Sequence, residues 1–567
     1  MVTTRSPEFY IMDTKQFVLV LALSLVTMML WQAWQDDYGT SVSENESTPL
    51  VKESDKPDLQ LSEVKTDSST PEYIADVLTP AVTKKEIEKL SSQPLIITTD
   101  LFSLEISTKG GGVQKAKLLG YPVEAGHPEE SFVLMDNSPE LLYITQGGLL
   151  SKQPAPTHED LYSVSSYNYS LKEGEESLQV PLVWVSEKGI KVTKIFEFSR
   201  GSHLITIRYL VENDSANVWQ GRSYHQIKRA SPSDGRHLIN TYTGAVISSP
   251  DERYEKIDFD DMQDQKLESD IVNGWAAMLQ HYFVSALVPV DTEQTYRYYT
   301  KSLANERYLI GAITPLQTVA AGEKVEVVEK IYIGPKILRD LEKIAEGLEL
   351  TVDYGVLWFI AKPLFLVLNK LHDLTSNWGW SIILVTIILK LIFFPLSAAG
   401  YKSMANMRRV QPRMMSIKDR FKDDKAKLNQ AMMQIYKEEK INPLGGCFPI
   451  LVQIPVFIAL YWVLLESVEM RQATFILWLQ DLSSPDPFYV LPLLMGITMF
   501  VQQKLNPAPM DPVQAKVMSV LPIAFTVFFA FFPSGLVLYW VVNNILSIAQ
   551  QWQITRSIER AALNTNS

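Results

Sequence analysis

Lys390 lies near the middle of an apolar stretch that is long enough to cross a lipid bilayer. At ~1.5 Å rise per residue, a helix from Trp380 to Tyr401 would span roughly 30 Å, with Lys390 about halfway along it. A charge at the bilayer centre costs roughly 2.5–3.5 kcal/mol, so we expect the ammonium to face a polar interior. The alternative is a helix that breaks at Pro395, from whose end the lysine stem would reach the headgroups.

The composition divides the chain into two unlike regions. Residues from about 94 to 335 are soluble in character, whereas long apolar runs dominate from about 357 onward. The net charge of −12 argues against nucleic acid as a main ligand. The single cysteine, Cys447, excludes an intrachain disulfide framework, and the seven histidines lack metal-ligand spacing. We therefore expect no metal and no cofactor.

Six apolar segments predict six membrane spans. The first, 17–34, follows Lys15, ends in a tryptophan-rich boundary and lacks a small-residue cleavage site, which favours an uncleaved anchor over a signal peptide. Residues 401–440 carry eleven Lys or Arg against five acids, so the positive-inside rule places them and both termini in the cytoplasm. The predicted organisation is a cytoplasmic N-terminus 1–16, a first span 17–34, a disordered periplasmic tether 35–93, a periplasmic β domain 94–335, connecting and interfacial amphipathic helices 336–377, spans 378–400, 446–466, 488–504, 517–533 and 535–551, a cytoplasmic helical hairpin 401–440 and a cytoplasmic tail 552–567.

Alternating hydrophobic residues predict an antiparallel β-sandwich in the soluble region. Lys191–Phe198 and Leu204–Val211 form an expected strand pair, and Val325–Ile333 alternates in the same way. The glycines 110–112 predict a turn or bulge, because a phosphate loop would need a following Lys-Ser/Thr and a helix.

Two further segments predict helices outside the bilayer core. Residues 357–373 are apolar but short and interrupted, which favours an interfacial helix on the outer leaflet. The segment 401–440 predicts a helical hairpin with a methionine stripe that includes Met404, Met407 and Met414. The stripe is either internal packing of the hairpin or an adaptable contact surface.

Polar residues in the apolar segments suggest a hydrated cavity around Lys390. Thr386 lies one helical turn before it, and no acidic residue lies in the interior of these segments. The other spans contribute Gln453, Thr498, Gln502, Thr526, Ser534, Asn543 and Asn544. A proton-coupled carrier would usually carry an intramembrane carboxylate. We therefore expect the partner of Lys390 to arrive with a substrate.

Several motifs resemble the YidC/Oxa/Alb family of membrane protein insertases. They are Asn442-Pro-Leu-Gly-Gly-Cys-Phe-Pro449, Phe532-Pro-Ser-Gly-Leu-Val-Leu-Tyr-Trp540 and Met28-Met-Leu-Trp-Gln-Ala-Trp34. Leu350-Thr-Val-Asp-Tyr-Gly355 and Ser249-Pro-Asp-Glu-Arg-Tyr-Glu-Lys256 resemble its Gram-negative branch. The resemblance covers about 350–555 most closely.

The resemblance implies an α-helical polytopic membrane protein with a five-helix insertase core and a large periplasmic antiparallel β-supersandwich. It also implies a hydrophilic groove, open to the cytoplasm and to lipid, with a central cation that is usually arginine. The expected groove residues are Lys390, Thr386, Gln453, Ser534, Trp540, Asn543 and Asn544. Trp540 stands where a tyrosine is common. Lys390 keeps the charge of arginine but loses its bidentate fork.

The function implied is that of a non-enzymatic inner-membrane insertase and chaperone, working alone or with the Sec translocon. The implied partners are nascent membrane proteins, the Sec translocon with its accessory subunits, a ribosome or targeting receptor, and membrane lipids. Two other classes stay open. A transporter could bind an anion at Lys390, although neither inverted repeats nor broken half-helices are evident in the sequence. A periplasmic sugar-active enzyme is the third, because supersandwiches resemble carbohydrate-processing domains, but fold does not carry function.

Overall fold

The computed structural model describes residues 93–231, 241–264, 266–421, 424–439, 448–506 and 512–565. All of them belong to one compact unit, residues 57–567. The predicted cytoplasmic N-terminus, the first span and nearly all of the tether lie outside the described residues.

A β domain forms the first half of the described chain. Its strands are β1 Leu95–Thr98, β2 Phe102–Ile106, β3 Val113–Pro122, β4 Ser131–Met135, β5 Tyr143–Ser151, β6 Ser163–Val164, β7 Asn168–Ser170, β8 Ser177–Val185, β9 Ile190–Ser199, β10 Leu204–Asn213, β11 Trp219–Ala230, β12 Gly244–Ser248, β13 Glu255–Ile257, β14 Glu268–Val272, β15 Trp275–Gln280, β16 Phe283–Val288, β17 Thr295–Leu303, β18 Arg307–Ile313, β19 Gln317–Val319 and β20 Lys324–Pro335. A short helix, α1 (Phe259–Asp264), lies between β13 and β14.

The strands form three sheets. Their orders are β4-β3-β2-β1-β7, then β13-β12-β15-β16-β20-β10-β9-β8-β6, and β14-β17-β18-β11-β19 with β5 also on β11. Among the described strands, every pairing is antiparallel except that of β1 with β7. The domain is thus β-rich, with sandwich-like sheets.

Alternation along β9 and β10 confirms the predicted strand pair. Ile207 faces Phe196 across the ladder, and both are buried, whereas their neighbours along each strand are only partly buried. Because the side-chain period is two residues, burying one face fixes the register of the pair. The glycine turn is also confirmed: Gly110 and Gly111 have φ of +75° and +60°, which glycine adopts without strain.

The second half of the described chain is helical. Its helices are α2 Leu338–Ile344, α3 Trp358–Thr375, α4 Trp378–Ile392, α5 Phe394–Arg420, α6 Lys425–Glu438, α7 Phe448–Glu466, α8 Val490–Leu505, α9 Pro512–Phe529 and α10 Ser534–Thr565. Short 3-10 turns cover Leu348–Val352 and Gly355–Leu357.

One hydrophobic cluster joins the helices to the nine-stranded sheet. Trp275 and Val284 of the sheet share it with Leu341 of α2, Phe365 of α3 and Leu460 of α7. Since all five are nearly inaccessible to solvent, the sheet and the helices bury apolar surface against each other.

The prediction of one continuous helix from Trp380 to Tyr401 is wrong. The chain bends by 67° at the break between α4 and α5. Pro395 stands in the first turn of α5, and because proline has no N–H group it cannot continue the hydrogen-bond ladder of α4. The break matches the alternative interpretation, but the Lys390 side chain extends to α10, where it contacts Ser547. The α4–α5 break also removes one argument against a transporter, namely that no broken helix was evident near Lys390.

The helices differ in how well they suit a membrane span. Among the described residues, one helical segment, Gly355–Thr375, is long and apolar enough to cross a bilayer, or two if the bent α4–α5 pair counts as one span. Shorter apolar helices cover Val452–Glu466, Val490–Leu505 and Ala515–Phe529. The six-span count and the interfacial placement of 357–373 stay predictions.

Candidate functional site: a polar groove between the helices

Lys390 makes a direct contact between two helices. It lies in the last turn of α4, and its Nζ donates a hydrogen bond to Ser547 Oγ of α10 at 2.7 Å. Ser547 Oγ donates in turn to the carbonyl oxygen of Asn543 at 2.7 Å. Among the described residues no carboxylate pairs with Lys390. The cation is therefore held by a neutral group, and its charge is not cancelled.

A small cavity lies beside the lysine. Its polar lining includes four of the residues named from the sequence, Thr386, Lys390, Gln453 and Asn543. Its volume is about 10 Å³, close to the space that one water molecule requires. Thr386 uses its hydroxyl hydrogen on the Ile382 carbonyl of its own helix, at 2.6 Å.

A larger groove of about 220 Å³ continues from this cavity toward α5. It includes four of the predicted residues: Gln453, Trp540, Asn543 and Asn544, and Met404 also lines it. Its other lining residues are Ser397, Gly400, Tyr401, Ile454, Phe457, Gln502, Asn506, Tyr539 and Ser547. Among the described residues, no carboxylate lines it, and the polar side chains that line it are mainly amides and hydroxyls.

Side-chain amides hold the helices around the groove. Asn544 Nδ2 donates to Thr498 Oγ1 at 3.2 Å, and Gln453 Nε2 donates to Ser397 Oγ at 3.3 Å. Gln551 Nε2 donates to an oxygen of another amide, Asn506, at 2.9 Å. The first two bonds each join two different helices, and the third joins α10 to the residue that caps the end of α8. Polar groups commonly contribute to helix association in membranes in this way.

The remaining wall of the groove is aromatic. Trp540 packs edge-on against Phe457, with ring centroids 4.3 Å apart, and Tyr539 stacks on the same ring. The tryptophan predicted for this wall is therefore an apolar contact. The groove as a whole has a polar side formed by amides and an apolar side formed by rings.

Ser534 does not line the groove, although it was predicted there. Its hydroxyl donates to the Asp481 carbonyl at 2.9 Å, in the loop between α7 and α8. The same loop is pinned to the start of α10 by Gly535 N, which donates to Leu482 O at 2.9 Å. Ser534 thus contacts the α7–α8 loop, which in turn contacts the β domain.

Buried Asp486 holds that loop in place. Its carboxylate accepts hydrogen bonds from Trp478 Nε1 at 2.9 Å, Phe488 N at 3.0 Å and Leu491 N at 2.7 Å. Since the last of these is an otherwise unpaired amide in the first turn of α8, the aspartate also caps that helix. The loop therefore forms a rigid cover over one end of the groove helices.

Two of the predicted methionines pack within the helical hairpin formed by α5 and α6. Met414 is buried with Val410 and Ile435, and Met407 packs against this cluster. Met404 is the methionine of this set that lines the groove. The structure thus assigns Met407 and Met414 a packing contact.

Ser547, Asn506 and Tyr401 also line the groove but were not predicted from the sequence. A usable signal was present for Ser547, because it follows Asn543 by four residues and so shares its helix face. Serine is common on helices, and the α4 break that directs Lys390 toward it was not expected.

A buried ion pair joins the β domain to α7. Lys336, just after β20, lies 3.1 Å from Glu466, the last residue of α7, and both side chains are almost fully buried. Beside them the ring of His281 lies 3.1 Å from the carbonyl oxygen of Leu465. Breaking one partner of such a pair leaves an uncompensated buried charge, so this junction has a large energetic role.

A second contact joins the α7–α8 loop to the β domain. Arg471 Nη2 donates to the Pro122 carbonyl at 2.6 Å, and Gln472 Nε2 donates to the same oxygen at 2.9 Å. The guanidinium also lies over the Phe132 ring, 5.5 Å from its centroid. The loop that covers the groove helices is therefore attached to the β domain by both polar and aromatic contacts.

The junction should weaken in acid because of His281. Burial, and then the Lys336 charge, lower the pKa of His281 to about 4. The folded state therefore resists protonation that the unfolded chain accepts near pH 6.5, and stability falls as the pH drops from 6.5 toward 4. Between pH 7 and pH 5 we expect a loss of about 2 kcal/mol from this residue.

Comparing thermal unfolding of the wild-type protein and His281→Gln in detergent tests this expectation. Burial, and then Asp340, raise the pKa of Glu469 to about 7. Protonation of Glu469 in acid therefore stabilises the folded state and opposes the destabilising effect of His281. Both proteins keep Glu469, and the difference between them isolates His281. The wild type should lose more stability than the variant on acidification, and equal losses would contradict this role of His281.

Comparisons with known proteins identify the family. The family model of the YidC periplasmic domain matches residues 95–367, and that of the 60Kd inner membrane protein matches residues 370–561. The membrane protein insertase YidC of Nitrosococcus oceani is 47% identical over 97% of this chain and 100% of the relative, and that of Methylococcus capsulatus is 46% identical over 97% and 99%. A solved structure titled as an active YidC insertase covers 81% of this chain and 92% of its own, with 19% identity and a TM-score of 0.37.

The chain therefore belongs to the YidC family of membrane protein insertases, in agreement with the resemblance seen in the sequence. Its β-rich half corresponds to the periplasmic domain of that family and its helical half to the inner-membrane part. The family is not a family of enzymes.

Proposed function

We propose that this chain is a membrane protein insertase and chaperone of the bacterial inner membrane. It inserts and folds integral membrane proteins, alone or with the Sec translocon and its accessory subunits. Six spans would place both termini in the cytoplasm and the β domain in the periplasm. Family membership and the amide-lined groove beside a single cation support this proposal.

The observation that carries the proposed mechanism is the state of Lys390. Its one described hydrogen bond is to a neutral hydroxyl, so a carboxylate that enters the groove meets a cation whose charge is not cancelled. Charge-assisted hydrogen bonds between ammonium and carboxylate are roughly twice as strong as neutral ones. The groove thus favours a nascent chain with a polar or acidic tail.

The groove lowers the barrier to insertion in two ways. The tail is received part of the way across the bilayer, so that it crosses a shorter apolar distance. The hydrophobic segment that follows the tail leaves sideways into lipid, where its transfer is favourable. That transfer supplies the free energy, and no nucleotide or cofactor is required.

The cytoplasmic hairpin is the proposed first contact for the ribosome, a targeting receptor or the emerging segment. Arg413 pairs with Glu438 at 2.9 Å, and Arg409 pairs with Glu439 at 3.2 Å, so these two arginines partly stabilise the hairpin itself. Met404 lies where the hairpin helix α5 meets the groove. It is the methionine that we propose meets the apolar segment, and surrounding lipids complete the path.

Photocrosslinking from one helix of the groove tests the proposed path. A photoreactive residue at Asn543 faces the groove, whereas one at Ile545, two positions on, is 50% exposed on the outer face of the same helix. Stalled chains with a single apolar segment should crosslink more strongly from position 543, because the substrate enters between the helices. Equal crosslinking from the two positions would contradict a groove path.

A transporter is the second candidate, because the α4–α5 break lies three residues after Lys390. Broken helices near a charge commonly form solute sites in transporters. Proteoliposomes distinguish the two functions. Insertion of a supplied membrane protein without solute flux supports the insertase, and anion flux without insertion supports the transporter.

A further inference from the structure

The Lys390 ammonium has two places to which it could extend. Lys390 is in the last turn of α4, three residues before the break at Phe393, so its flexible stem could reach outward to a headgroup region or inward to the groove. In the structure it extends inward, and Ser547 is the acceptor it contacts.

Ser547 is prepared for this contact by its own hydrogen bond. Its hydroxyl hydrogen is used on the Asn543 carbonyl at 2.7 Å, so the lone pairs of Oγ are directed away from α10 and are available to the ammonium. Ser547 is 3% exposed, and its side chain is therefore fixed by packing as well. It works as an acceptor that holds the cation without neutralising it.

The contact between Lys390 and Ser547 lies where the small cavity meets the larger groove. Lys390 lines the small cavity and Ser547 lines the larger groove, while Asn543 lines both. An ammonium has three donors, and the hydroxyl occupies one of them. The other two can bind a carboxylate in the groove while the bond to Ser547 persists.

We infer that Ser547 is a positioning residue that keeps the Lys390 ammonium in the groove, and so sets the preference for acidic over neutral substrate tails. This inference rests on the proposed insertase function. Loss of the hydroxyl leaves the lysine stem free to move outward past the α4 break, and the groove then loses its cation without losing its shape.

The test compares two substrates that differ only in tail charge. One single-span substrate carries an acidic tail, and in the other each Asp and Glu of the tail is replaced by Asn and Gln. Insertion rates are measured in proteoliposomes with the full-length chain, and the ratio of acidic to neutral rates is the readout. Ser547→Ala should lower that ratio by about tenfold, because the displaced ammonium no longer makes a charge-assisted hydrogen bond to the tail carboxylate. Ser547→Thr keeps a hydroxyl at this position and should restore the ratio.

Two further variants make the result decisive. Ser381→Ala removes a buried hydroxyl of α4 that donates to the Asn377 carbonyl and lines neither the groove nor the small cavity, and its ratio should match the wild type. Lys390→Leu reports on the charge itself. If Lys390→Leu lowers the ratio and Ser547→Ala does not, the role of Ser547 is overturned while the insertase mechanism stands. If neither variant changes the ratio, the charge role of Lys390 fails as well. A Ser547→Ala protein that slows both substrates equally has only a structural defect, and that outcome also overturns the inference.

Discussion

Replacing Lys336 by Met is expected to destabilise the junction between the β domain and the helices by about 3–5 kcal/mol. Met keeps the length and the packing of the side chain but leaves Glu466 buried without its 3.1 Å partner. In the wild type the neighbouring His281 does not share this charge, because burial, and then the Lys336 charge, lower the pKa of His281 to about 4 and it is neutral at pH 7. Thermal unfolding of the full-length protein in detergent measures the loss.

A double variant separates the charge effect from the packing effect. Lys336→Met combined with Glu466→Leu removes both charges, and replacing a buried pair by apolar residues is often close to neutral. The double variant should therefore recover most of the stability that the single variant loses. A double variant as unstable as Lys336→Met would mean that shape, and not the unpaired carboxylate, explains the loss.

Replacing Lys390 by Leu is expected to reduce insertion of acidic-tailed, single-span substrates by at least about tenfold, because a close ammonium–carboxylate pair contributes ~1.5 kcal/mol or more. The variant is tested in cells depleted of the wild-type protein, with insertion followed by protease protection of the tail. Lys390→Arg is the matched control. It keeps the charge and can still donate to Ser547, so it should retain insertion. Normal insertion by Lys390→Leu would remove the charge from the mechanism.

The strand pairing could be predicted because it depends on local alternation. The hydrophobic residues of β9 and β10 recur every second position, and the observed register buries one face of each strand. Apolar length also indicated helices near 446–466 and 488–504, where α7 and α8 lie. The break after Ile392 was misjudged because apolar composition continues across it, and the constraint comes from one proline.

The polar groove could be predicted only in part. Lys390, Thr386, Gln453 and Asn543 share one small cavity, as their unusual polarity within apolar segments indicated. Ser534 was misplaced because its distance from the groove depends on a loop fold set by Asp481 and Asp486, which no sequence period reveals.

Long-range contacts could not be predicted at all from one sequence. Lys336 and Glu466 are 130 positions apart, and Lys390 and Ser547 are 157 apart. Each residue considered alone is an ordinary charge or hydroxyl at a helix end or strand end. Their meaning arises only when the tertiary structure removes them from water and places them within hydrogen-bond distance.

The central claim is that Lys390 acts through the carboxylates of the incoming tail, and the rate of insertion against the number of those carboxylates tests it most directly. A substrate series with no, one, two and three acidic tail residues is inserted by the wild-type protein and by Lys390→Leu in proteoliposomes of one lipid composition. We predict that the wild-type rate rises with each added carboxylate until the groove cation is paired, and that the Lys390→Leu rate does not rise. Parallel increases in both proteins would contradict the account.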